Sequence, residues 1–556
     1  MPRYQDLAAV PEELKKKLER YFTNVGGRTF VIRGLPSELT GGALARYSRA
    51  RTGIQLTLIN EFLDEHGEPS QQKGSALMDR VLNAFGDDSV GELEGVHVGL
   101  EDISQLLTKE IEDRRIGGSP IEQSTRYVIY DQKDQQGRWR YVRPQEIMES
   151  GFGERYQEIN DKAFVVYAQG VELLQDYFRK EFPRAQFQID GERRSQKVKL
   201  FETELETGDE RKAFATAYNF TIRCAALDVG RCVLPSSTLT HLGLAGNGRY
   251  YTNLLIHLKS SPLAEARERA AELEAELQKV IPTFIKRNKA DAKRADIDRR
   301  MTTLAADLFG GIAPTDVPVT LVPRAEYLDE VTASCLFSYI PISLPQILEA
   351  LHNIPADKKM EIVETYRGSR ESRRDRTGRG LEAGYPFTFD LVGGFAEYRD
   401  LERHRMLTQQ RQRLTTDLGF ILPPEMEAVG LGNAVQEVES LMSSLNNDLR
   451  RAGLEQAAQY ATLFNHRLRF LLGMNLRELQ HLAELRTQPS GHFSYRSMVM
   501  EMARRVQERD PWTKELLGFV DFSDPGNKIS RAREQARIAG KNSAKGVAGD
   551  FDLTEL

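Results

Sequence analysis

Three consecutive side chains in the stretch YRDLERHRMLTQQ could bind a pyrophosphate, namely Arg403, His404 and Arg405. Guanidinium groups hold phosphate oxygens through paired hydrogen bonds, and a histidine between two of them can lie against a flat heterocycle or donate to it. If the stretch is one helix, Arg405 shares an apolar face with Tyr398 and Leu401. Because a buried guanidinium needs an anion, Arg405 is expected to meet either a protein carboxylate or a bound ligand.

A second group of polar residues, Glu122, Ser124 and Arg126, stands in the stretch RRIGGSPIEQSTRY. A carboxylate, a hydroxyl and a guanidinium this close together can hold both the base edge and the phosphate of a nucleotide. No histidine is near in sequence to activate Ser124, so we expect its hydroxyl to bind a ligand rather than to attack one.

The composition is that of an ordinary water-soluble protein of several domains, with 556 residues of which 40% are hydrophobic and 28% charged. The chain has no run of about 18 apolar residues and no signal-peptide pattern, which predicts a cytoplasmic location without membrane association. The net charge of −5 argues against a dedicated nucleic-acid binder. The three cysteines, Cys224, Cys232 and Cys335, show no metal-ligand spacing, so no metal site is predicted.

Hydrophobic periodicity predicts an α+β fold in which helices dominate. The long predicted helices cover 157–182, 262–300, 433–451 and 497–508. Short runs typical of strands are RTFVIRGL, YVIYDQ and PFTFDLVG. A charge-rich stretch at 183–214 is expected to form an inserted loop or a small hairpin, and the polar residues 526–556 a flexible tail or a partner-binding arm.

The same order of motifs occurs twice along the chain. An arginine-rich segment, RRIGGSPIEQSTRYV or YRDLERHRMLTQQRQRL, precedes an Asn-x-Arg in an apolar helix, NGRYYTNLLIHL or NLRELQHLAEL. We therefore predict two divergent copies of one domain. The predicted organisation is an N-terminal helix (1–24), a first domain (25–300, with the charged insertion at 183–214), a linker (301–317), a second domain (318–525) and the tail (526–556).

Taken together, these motifs resemble the flavin-dependent thymidylate synthase family. That family carries an Arg-His-Arg, a Ser-x-Asn-Glu-x-Ser-x-Arg-Tyr, an Arg-x-Val-Leu-Pro and an Asn-x-Arg on a helix. The first half of this chain matches the second motif in EQSTRY and the third in GRCVLP, but it has no Arg-His-Arg. The second half keeps Arg-His-Arg at 403–405, has lost the Glu-x-Ser-x-Arg, and carries YATLFNH in place of Val-Leu-Pro. Each half therefore keeps what the other lacks.

The resemblance implies two tandem copies of a fold in which helices pack on a small mixed or antiparallel sheet. It also implies an FAD cofactor, with methylenetetrahydrofolate and NADPH as co-substrates. In that family reduced FAD passes a one-carbon unit to deoxyuridylate (dUMP) and supplies a hydride, NADPH recharges the flavin, and no cysteine nucleophile is needed. Family members build each site from several subunits of a tetramer, so a homodimer of this tandem chain, a pseudo-tetramer of domains, is expected.

The site residues that the resemblance carries over fall into three groups. The predicted catalytic residues are His404 and Arg231. The residues expected to contact FAD are Ser89, Glu92, Asn247, Arg249, Arg403, His404, Arg405, Asn475, Arg477 and His481. The residues expected to contact the nucleotide are Glu122, Gln123, Ser124, Arg126, Arg231 and Arg486. The flavin diphosphate is then favoured as the anion that Arg405 meets. Helix capping by Asn247 and Asn475, and a buried carboxylate partner for Arg231, stay open as structural alternatives.

Three functions are compatible with these patterns. The first is an FAD-dependent methyltransferase that makes deoxythymidylate (dTMP) from dUMP at hybrid sites, meaning sites formed by motif residues of both repeats. The second is flavin- and folate-dependent methylation of another pyrimidine or of an RNA uridine, because the replaced motif residues could reshape the nucleotide pocket. The third is a non-catalytic nucleotide-binding or scaffold protein. The first is our prediction, because the motif losses of the two halves are complementary.

Overall fold

The computed structural model describes residues 3–48, 50–64, 66–79, 88–193, 196–286, 288–370, 375 and 377–544. The chain forms two compact units. Unit 1 comprises Met1–Ile103, Leu107–Glu122 and Thr240–Ala292, and unit 2 comprises Ser104–Leu106, Gln123–Leu239 and Lys293–Leu556. The predicted domain boundaries concern sequence repeats rather than compactness, so they stay a prediction.

Helices dominate the described residues. In chain order they are α1 (Glu12–Leu18), α2 (Ser37–Tyr47), α3 (Ile54–Thr57), α4 (Gln71–Asp79), α5 (Gln105–Glu112), α6 (Gln145–Met148), α7 (Gly153–Glu181), α8 (Gly208–Gly230), α9 (Gly248–Lys259), α10 (Ala264–Leu277), α11 (Pro282–Ile285), α12 (Arg294–Phe309), α13 (Tyr327–Leu336), α14 (Leu344–Leu351), α15 (Ala356–Arg367), α16 (Phe395–Leu401), α17 (Pro424–Ala428), α18 (Gly432–Arg451), α19 (Leu476–Arg486), α20 (Phe493–Arg509) and α21 (Ala532–Ala544). No helix in this part of the chain is long and apolar enough to cross a membrane.

The strands are short and form small sheets. They are β1 (Gly95–Ser104), β2 (Gly118–Glu122), β3 (Ile189–Arg193), β4 (Gln196–Leu200), β5 (Leu239–Asn247), β6 (Val319–Leu321), β7 (Phe387–Gly394), β8 (Thr408–Arg411) and β9 (Arg467–Met474). The sheet orders are β1-β5-β2, β3-β4 and β6-β7-β9-β8. The predicted helix-dominant α+β class is therefore confirmed.

Unit 1 carries the sheet β1-β5-β2 at its centre. Strand β2 runs antiparallel to β5, with Gly118 opposite Gly246. Strand β5 leads directly into α9, whose first turn is capped because the Asn247 side chain accepts a hydrogen bond from the Tyr250 amide (2.8 Å). Apolar residues of α1, α2 and α3, such as Leu18 and Leu39, form a core of this unit.

Unit 2 repeats the arrangement around its four-stranded sheet. Strand β7 lies antiparallel to β9, with Leu391 opposite Phe470, and both side chains are fully buried. Strand β9 leads into α19, where Asn475 accepts a hydrogen bond from the Glu478 amide (3.0 Å). Both asparagines therefore cap a helix, which is the structural alternative that the sequence left open for Asn247 and Asn475.

The element order supports a divergent tandem repeat. The series β1, α5, β2, long helices, β5, α9 has the same order as β7, α16, β8, α18, β9, α19. In the sheets, β5 lies between β1 and β2, just as β9 lies between β7 and β8. The segments that replace each other in the repeat, GRCVLPSS and YATLFNH, also pair with each other in unit 2. The Ser236 amide donates to the Thr462 carbonyl and the Phe464 amide to the Leu234 carbonyl, both at 2.9 Å.

Several predicted elements are confirmed. Helices α7, α18 and α20 occupy the predicted stretches 157–182, 433–451 and 497–508, and β7 occupies PFTFDLVG. The charged insertion at 183–214 contains the hairpin β3-β4.

Other predicted elements are wrong, for local reasons. The helix predicted at 262–300 is broken into α10, α11 and α12, and Pro282 stands where the chain restarts because proline cannot donate a helical hydrogen bond. RTFVIRGL and YVIYDQ form no ladder because side chains take their amides: Val31 donates to the Thr23 hydroxyl oxygen and Tyr130 to the Tyr167 phenol oxygen.

The stretch YRDLERHRMLTQQ is not one helix, which corrects the prediction for Arg405. Helix α16 ends at Leu401, where the Gln409 side-chain amide donates to the carbonyl of Glu402 (3.1 Å), and β8 begins at Thr408. Arg405 lies in the turn between them and is exposed to solvent. The prediction that it lies on a buried apolar face is therefore wrong.

The C-terminal segment is also more ordered than predicted. Helix α21 packs against α8 and β3, and its residues Ala536 and Ala539 are buried. The prediction of a flexible tail is thus wrong for this helix, because alanine and glycine give its inner face a close fit. Residues 545–556 lie outside the described part of the chain.

Gly540 tests this docking, since a Cβ atom there would overlap the carbonyl oxygen of Asp190 in β3. We expect Gly540→Ala to lower the free energy of unfolding by about 1–3 kcal/mol, because the helix must shift away from the strand. Gly208→Ala is the matched control, because a Cβ at this helical position meets no atom within 4 Å. Urea denaturation measures both, and a Gly540→Ala protein as stable as the control would contradict the docking.

Candidate active site

Unit 2 brings predicted site residues of both repeats into one buried cluster. Its central carboxylate is Asp400 at the end of α16, which accepts from Arg231 at 3.2 Å and is also affected by the charges of Arg126 and Arg403. Burial by itself would raise the pKa of Asp400, but these three cations reverse the effect and hold that pKa well below its usual range. The buried cluster therefore joins Arg126 and Arg231 of the first half to Asp400 of the second, and the exposed Arg403 acts on Asp400 through its charge.

Arg126 is held by a carboxylate of α8. Its Nε and Nη2 donate to the two oxygens of Asp228 at 2.6 and 2.7 Å, a bidentate pair of nearly buried side chains. Burial would raise the pKa of Asp228, yet the charge and hydrogen bonds of Arg126 lower it to about 2. Arg126 is thus fixed in place by the protein itself.

Arg231 is less completely satisfied. It follows the last residue of α8, only 2% of it is exposed, and its Nη2 donates to Asp400 at 3.2 Å. Its Nε is buried without a hydrogen-bond partner among the described residues. Asp400 is thus the buried carboxylate partner that the sequence left open for Arg231. One such contact leaves other N–H donors of the buried guanidinium unused.

Helix α20 closes the cluster with a neutral histidine. His492 Nε2 lies 3.0 Å from the carbonyl oxygen of Asp228, and Nδ1 accepts from the Ser494 amide at 3.2 Å. Burial and the nearby Arg231 charge lower the pKa of His492 to about 3, so Nε2–H is the donor. The Ser494 hydroxyl donates to Glu397, whose pKa is raised by burial.

His404 is locked between a carboxylate and a guanidinium. Its Nδ1 lies 3.0 Å from Glu478 Oε1, and its Nε2 lies 2.9 Å from the Nε of Arg486. Since arginine only donates, Nε2 must accept, and the ring is neutral with its proton on Nδ1. Burial is the main reason why the pKa of His404 is lowered. Both ring nitrogens are engaged, so in this arrangement no N–H is left for a ligand.

The ring of Tyr495 connects the two groups. The guanidinium carbon of Arg486 lies 5.8 Å from the centre of this ring, and that of Arg126 lies 6.0 Å from it. His481 meets the His404 ring edge to face, at 5.6 Å between centroids. The structure thus brings His404, His481 and Arg486 together, and Arg486 shares the Tyr495 ring with Arg126.

The remaining predicted residues of unit 2 lie at its surface or in turns. Arg403, Arg405, Asn475 and Arg477 are exposed. The loop residues are engaged locally: Ser124 Oγ accepts from the Arg126 amide (3.2 Å), and Gln123 accepts from the Tyr130 hydroxyl (3.2 Å).

Unit 1 holds the other predicted residues. Glu122 is buried and bound to Lys109 at 3.1 Å, and it belongs to unit 1, whereas Ser124 belongs to unit 2. Glu92 and Arg249 form an ion pair with each other. The side chain of Ser89 lies outside the described residues.

The sequence analysis missed the carboxylates and the histidine of the cluster. Asp228 and Asp400 each stand three residues before a predicted site arginine, in DVGR and DLER, and this spacing was a usable signal. His492 had none, because it comes from a segment without a family motif. Arg399, whose guanidinium carbon lies 4.6 Å from the centre of the Phe464 ring, stands in the arginine-rich segment but outside its Arg-His-Arg, so the motif did not indicate it.

A family model and two curated relatives match most of the chain, and a solved structure matches part of it. The sequence model of the family described as "Thymidylate synthase complementing protein" matches residues 42–283 and 382–512. A UPF0159 protein of Chlamydia muridarum is 34% identical over 549 residues, covering 95% of this chain and 98% of the relative. A UPF0159 protein of Thermoplasma acidophilum is 28% identical over 509 residues, covering 90% and 99%. The flavin dependent thymidylate synthase ThyX from Helicobacter pylori, solved with FAD and dUMP, matches at 17% identity and a TM-score of 0.22, over 44% of this chain and 93% of that one.

The Arg126–Asp228 pair predicts a pH-dependent loss on mutation. Asp228→Asn leaves a buried guanidinium without its anion, so we expect the free energy of unfolding to fall by about 3–5 kcal/mol at neutral pH. Because the folded-state pKa of Asp228 is lowered to about 2, the stabilisation is complete above the unfolded pKa of about 4 and is lost as the pH falls towards 2. Denaturation at several pH values checks this, and a difference from wild type that grows below about pH 4 would contradict it.

The contacts of His404 predict a single tautomer. Nitrogen-15 NMR of histidine-labelled protein, with His404→Gln to assign the signal, should show a neutral ring protonated on Nδ1 at pH 7. An imidazolium signal, or a proton on Nε2, would show that Arg486 does not donate to this ring.

Proposed function

The chain belongs to the thymidylate synthase complementing protein family, and from this premise we propose that it is a flavin-dependent thymidylate synthase-like enzyme with a hybrid site. The reaction is the methylation of dUMP to dTMP with methylenetetrahydrofolate and reduced FAD, with NADPH as reductant. The hybrid site is the buried cluster of unit 2, to which both repeats contribute motif residues.

The observation that carries the proposal is that Arg231 has a hydrogen-bond donor without a partner among the described residues. This guanidinium is buried, its single carboxylate contact is long at 3.2 Å, and its Nε has no partner among the described residues. Buried cations are normally paired and hydrogen-bonded, so the arrangement suits a site that receives an anionic ligand. The phosphate of a mononucleotide is such a ligand, and the charge of Arg126 also acts on Asp400.

The residues around α16 fit a flavin dinucleotide chemically. Arg403 and Arg405 expose two guanidinium groups on the turn between α16 and β8, which is the donor type that holds a diphosphate. When bound, reduced FAD would supply the hydride and relay the one-carbon unit.

The chain's own residues act by binding and positioning. Arg231 and Arg126 hold the nucleotide phosphate, while Asp400 and Asp228 keep the two guanidinium groups charged and oriented. His404 keeps its proton on Nδ1 and accepts from Arg486, which fixes that guanidinium for the ligand. No cysteine takes part, since Cys224, Cys232 and Cys335 are buried and burial raises the pKa of each thiol.

Glu122, Gln123 and Ser124 are proposed to contact the nucleotide as well, and Ser89, Glu92, Asn247, Arg249, Asn475, Arg477 and His481 to contact the cofactor. For Asn247 and Asn475 this use must coexist with their capping bonds. We further propose a cytoplasmic homodimer, in which four domain copies are present. Methylation of another pyrimidine or of an RNA uridine, or a non-catalytic nucleotide-binding role, are the alternatives that the following test separates.

The test measures FAD binding and turnover for the purified chain. We expect a yellow protein that retains FAD and releases tritium from the pyrimidine ring of dUMP when methylenetetrahydrofolate and NADPH are present. Arg231→Gln should lower kcat/KM for dUMP by about 100-fold or more, because a charge-assisted contact to the phosphate is lost. Arg179→Gln, an exposed arginine on α7, is the matched control and should keep wild-type rates.

Two outcomes would decide against the proposal. A colourless protein that binds no added FAD excludes the flavin function and leaves the non-catalytic alternative. A flavoprotein that shows no turnover of dUMP but methylates a larger uridine-containing acceptor would support the second alternative instead.

A further inference from the structure

The segment after the family match, which ends at residue 512, carries a buried arginine into unit 2. Arg531 directly precedes α21 and is only 5% exposed. Its Nη1 donates to the Tyr127 hydroxyl oxygen at 3.0 Å and its Nη2 to the Ser490 carbonyl at 2.6 Å. Its guanidinium carbon also lies 5.2 Å from the centre of the Tyr127 ring. All these partners are neutral, and no carboxylate forms an ion pair with Arg531 among the described residues.

Arg531 stands beside a second buried cation. The Nη2 of Arg126 donates to the same Ser490 carbonyl at 3.4 Å. The two Nη2 atoms are therefore at most about 6 Å apart, the sum of their distances to that oxygen, and like charges this close repel strongly where water is excluded. Arg223 adds a third guanidinium nearby, since it donates to the Tyr127 carbonyl at 2.7 Å.

One carboxylate faces both Arg126 and Arg531, namely Asp228. Both of its oxygens are already bound by Arg126. Asp400 also acts on Arg126 but is hydrogen-bonded to Arg231, so the three guanidinium groups of Arg126, Arg231 and Arg531 carry more positive charge than Asp228 and Asp400 neutralise. Buried charges are costly unless they are paired, so the arrangement is suited to an added anion.

We propose that Arg531 binds the phosphate group of the nucleotide together with Arg126, so that the C-terminal segment completes the ligand site. The inference rests on the proposed function in taking a nucleotide as the source of the phosphate. A phosphate monoester is the fitting chemistry, because its oxygens accept from guanidinium donors and its dianionic charge offsets both cations. The Tyr127 ring under Arg531 fixes the plane of that guanidinium.

The consequence is selectivity for phosphorylated ligands. Deoxyuridine lacks the group that Arg531 would bind, so its affinity should not depend on this residue. Inorganic phosphate carries the group without the nucleoside and should bind weakly but with the same dependence on Arg531. These two probes separate recognition of the phosphate from recognition of the base.

Calorimetric titration of the full-length chain with dUMP, deoxyuridine and inorganic phosphate tests the proposal. Arg531→Gln keeps a hydrogen-bonding side chain but removes the charge, and it should weaken dUMP binding about 10-fold or more while leaving deoxyuridine binding unchanged. Arg531→Lys keeps the charge and should retain part of the affinity. Arg537→Gln, an exposed arginine of α21, is the matched control and should bind dUMP as wild type does.

Wild-type dUMP affinity in Arg531→Gln would overturn the inference. Turnover of dUMP by that variant at the wild-type rate would also overturn the inference, but it would leave the proposed function intact. Binding of inorganic phosphate that depends on Arg531, in a chain that binds no dUMP, would uphold the anion site and contradict the proposed function. If Arg531→Gln does not fold, hydrogen exchange of wild-type residues 526–544 decides. Their exchange should slow with dUMP and not with deoxyuridine, and unchanged exchange with dUMP would overturn the inference.

Discussion

Burial of guanidinium groups is the constraint around which unit 2 is organised. Three arginines are buried there, Arg126, Arg231 and Arg531. The carboxylates that form ion pairs in this cluster are Asp228, with Arg126, and Asp400, with Arg231. Each removal of an arginine from water is costly, and it is sustained only where hydrogen bonds and opposite charge replace hydration. Asp228 binds Arg126 and Asp400 binds Arg231, whereas Arg531 donates to the neutral oxygens of Tyr127 and Ser490. Positive charge remains in the cluster, and the Nε of Arg231 has no hydrogen-bond partner among the described residues. Both features support the proposed anion site.

The tandem repeat explains how one chain assembles such a cluster. Segments 234–236 and 462–464, which occupy the same place in the two repeats, pair through backbone hydrogen bonds. This pairing lies next to the end of α8, which supplies Asp228 and Arg231, and next to the start of α16, where the Ala396 amide donates to the Phe464 carbonyl. Motif residues of the two halves are therefore brought together inside unit 2. Under the proposed function, a motif lost from one half is replaced by groups that the other half supplies to the same site.

Local signals in the sequence predicted much of the fold and part of the site. Strong periodicity gave α7 and α18, and a buried alternating run gave β7, because such patterns depend on neighbouring residues alone. Arg126 and Arg231 were found because they lie in motifs. The end of α16 was missed because the Gln409 side chain, seven residues further on, donates to the carbonyl of Glu402, a contact that the apolar spacing does not reveal. The docking of α21 was missed because it depends on the close approach of Gly540 to β3. The neutral state of His404 could not be read from Arg-His-Arg, since Glu478 and Arg486 come from a helix more than 70 positions away, at separations of 74 and 82 residues.

The central claim is that motif residues of both repeats in one chain bind a single nucleotide next to a flavin. A crystal structure of the protein with FAD and dUMP tests it most directly. The claim predicts the dUMP phosphate within hydrogen-bonding distance of Arg126 and Arg231, with the flavin diphosphate at Arg403 and Arg405 of the same chain. A nucleotide bound away from these arginines, with the Nε of Arg231 still unpartnered beside Asp400, would contradict it.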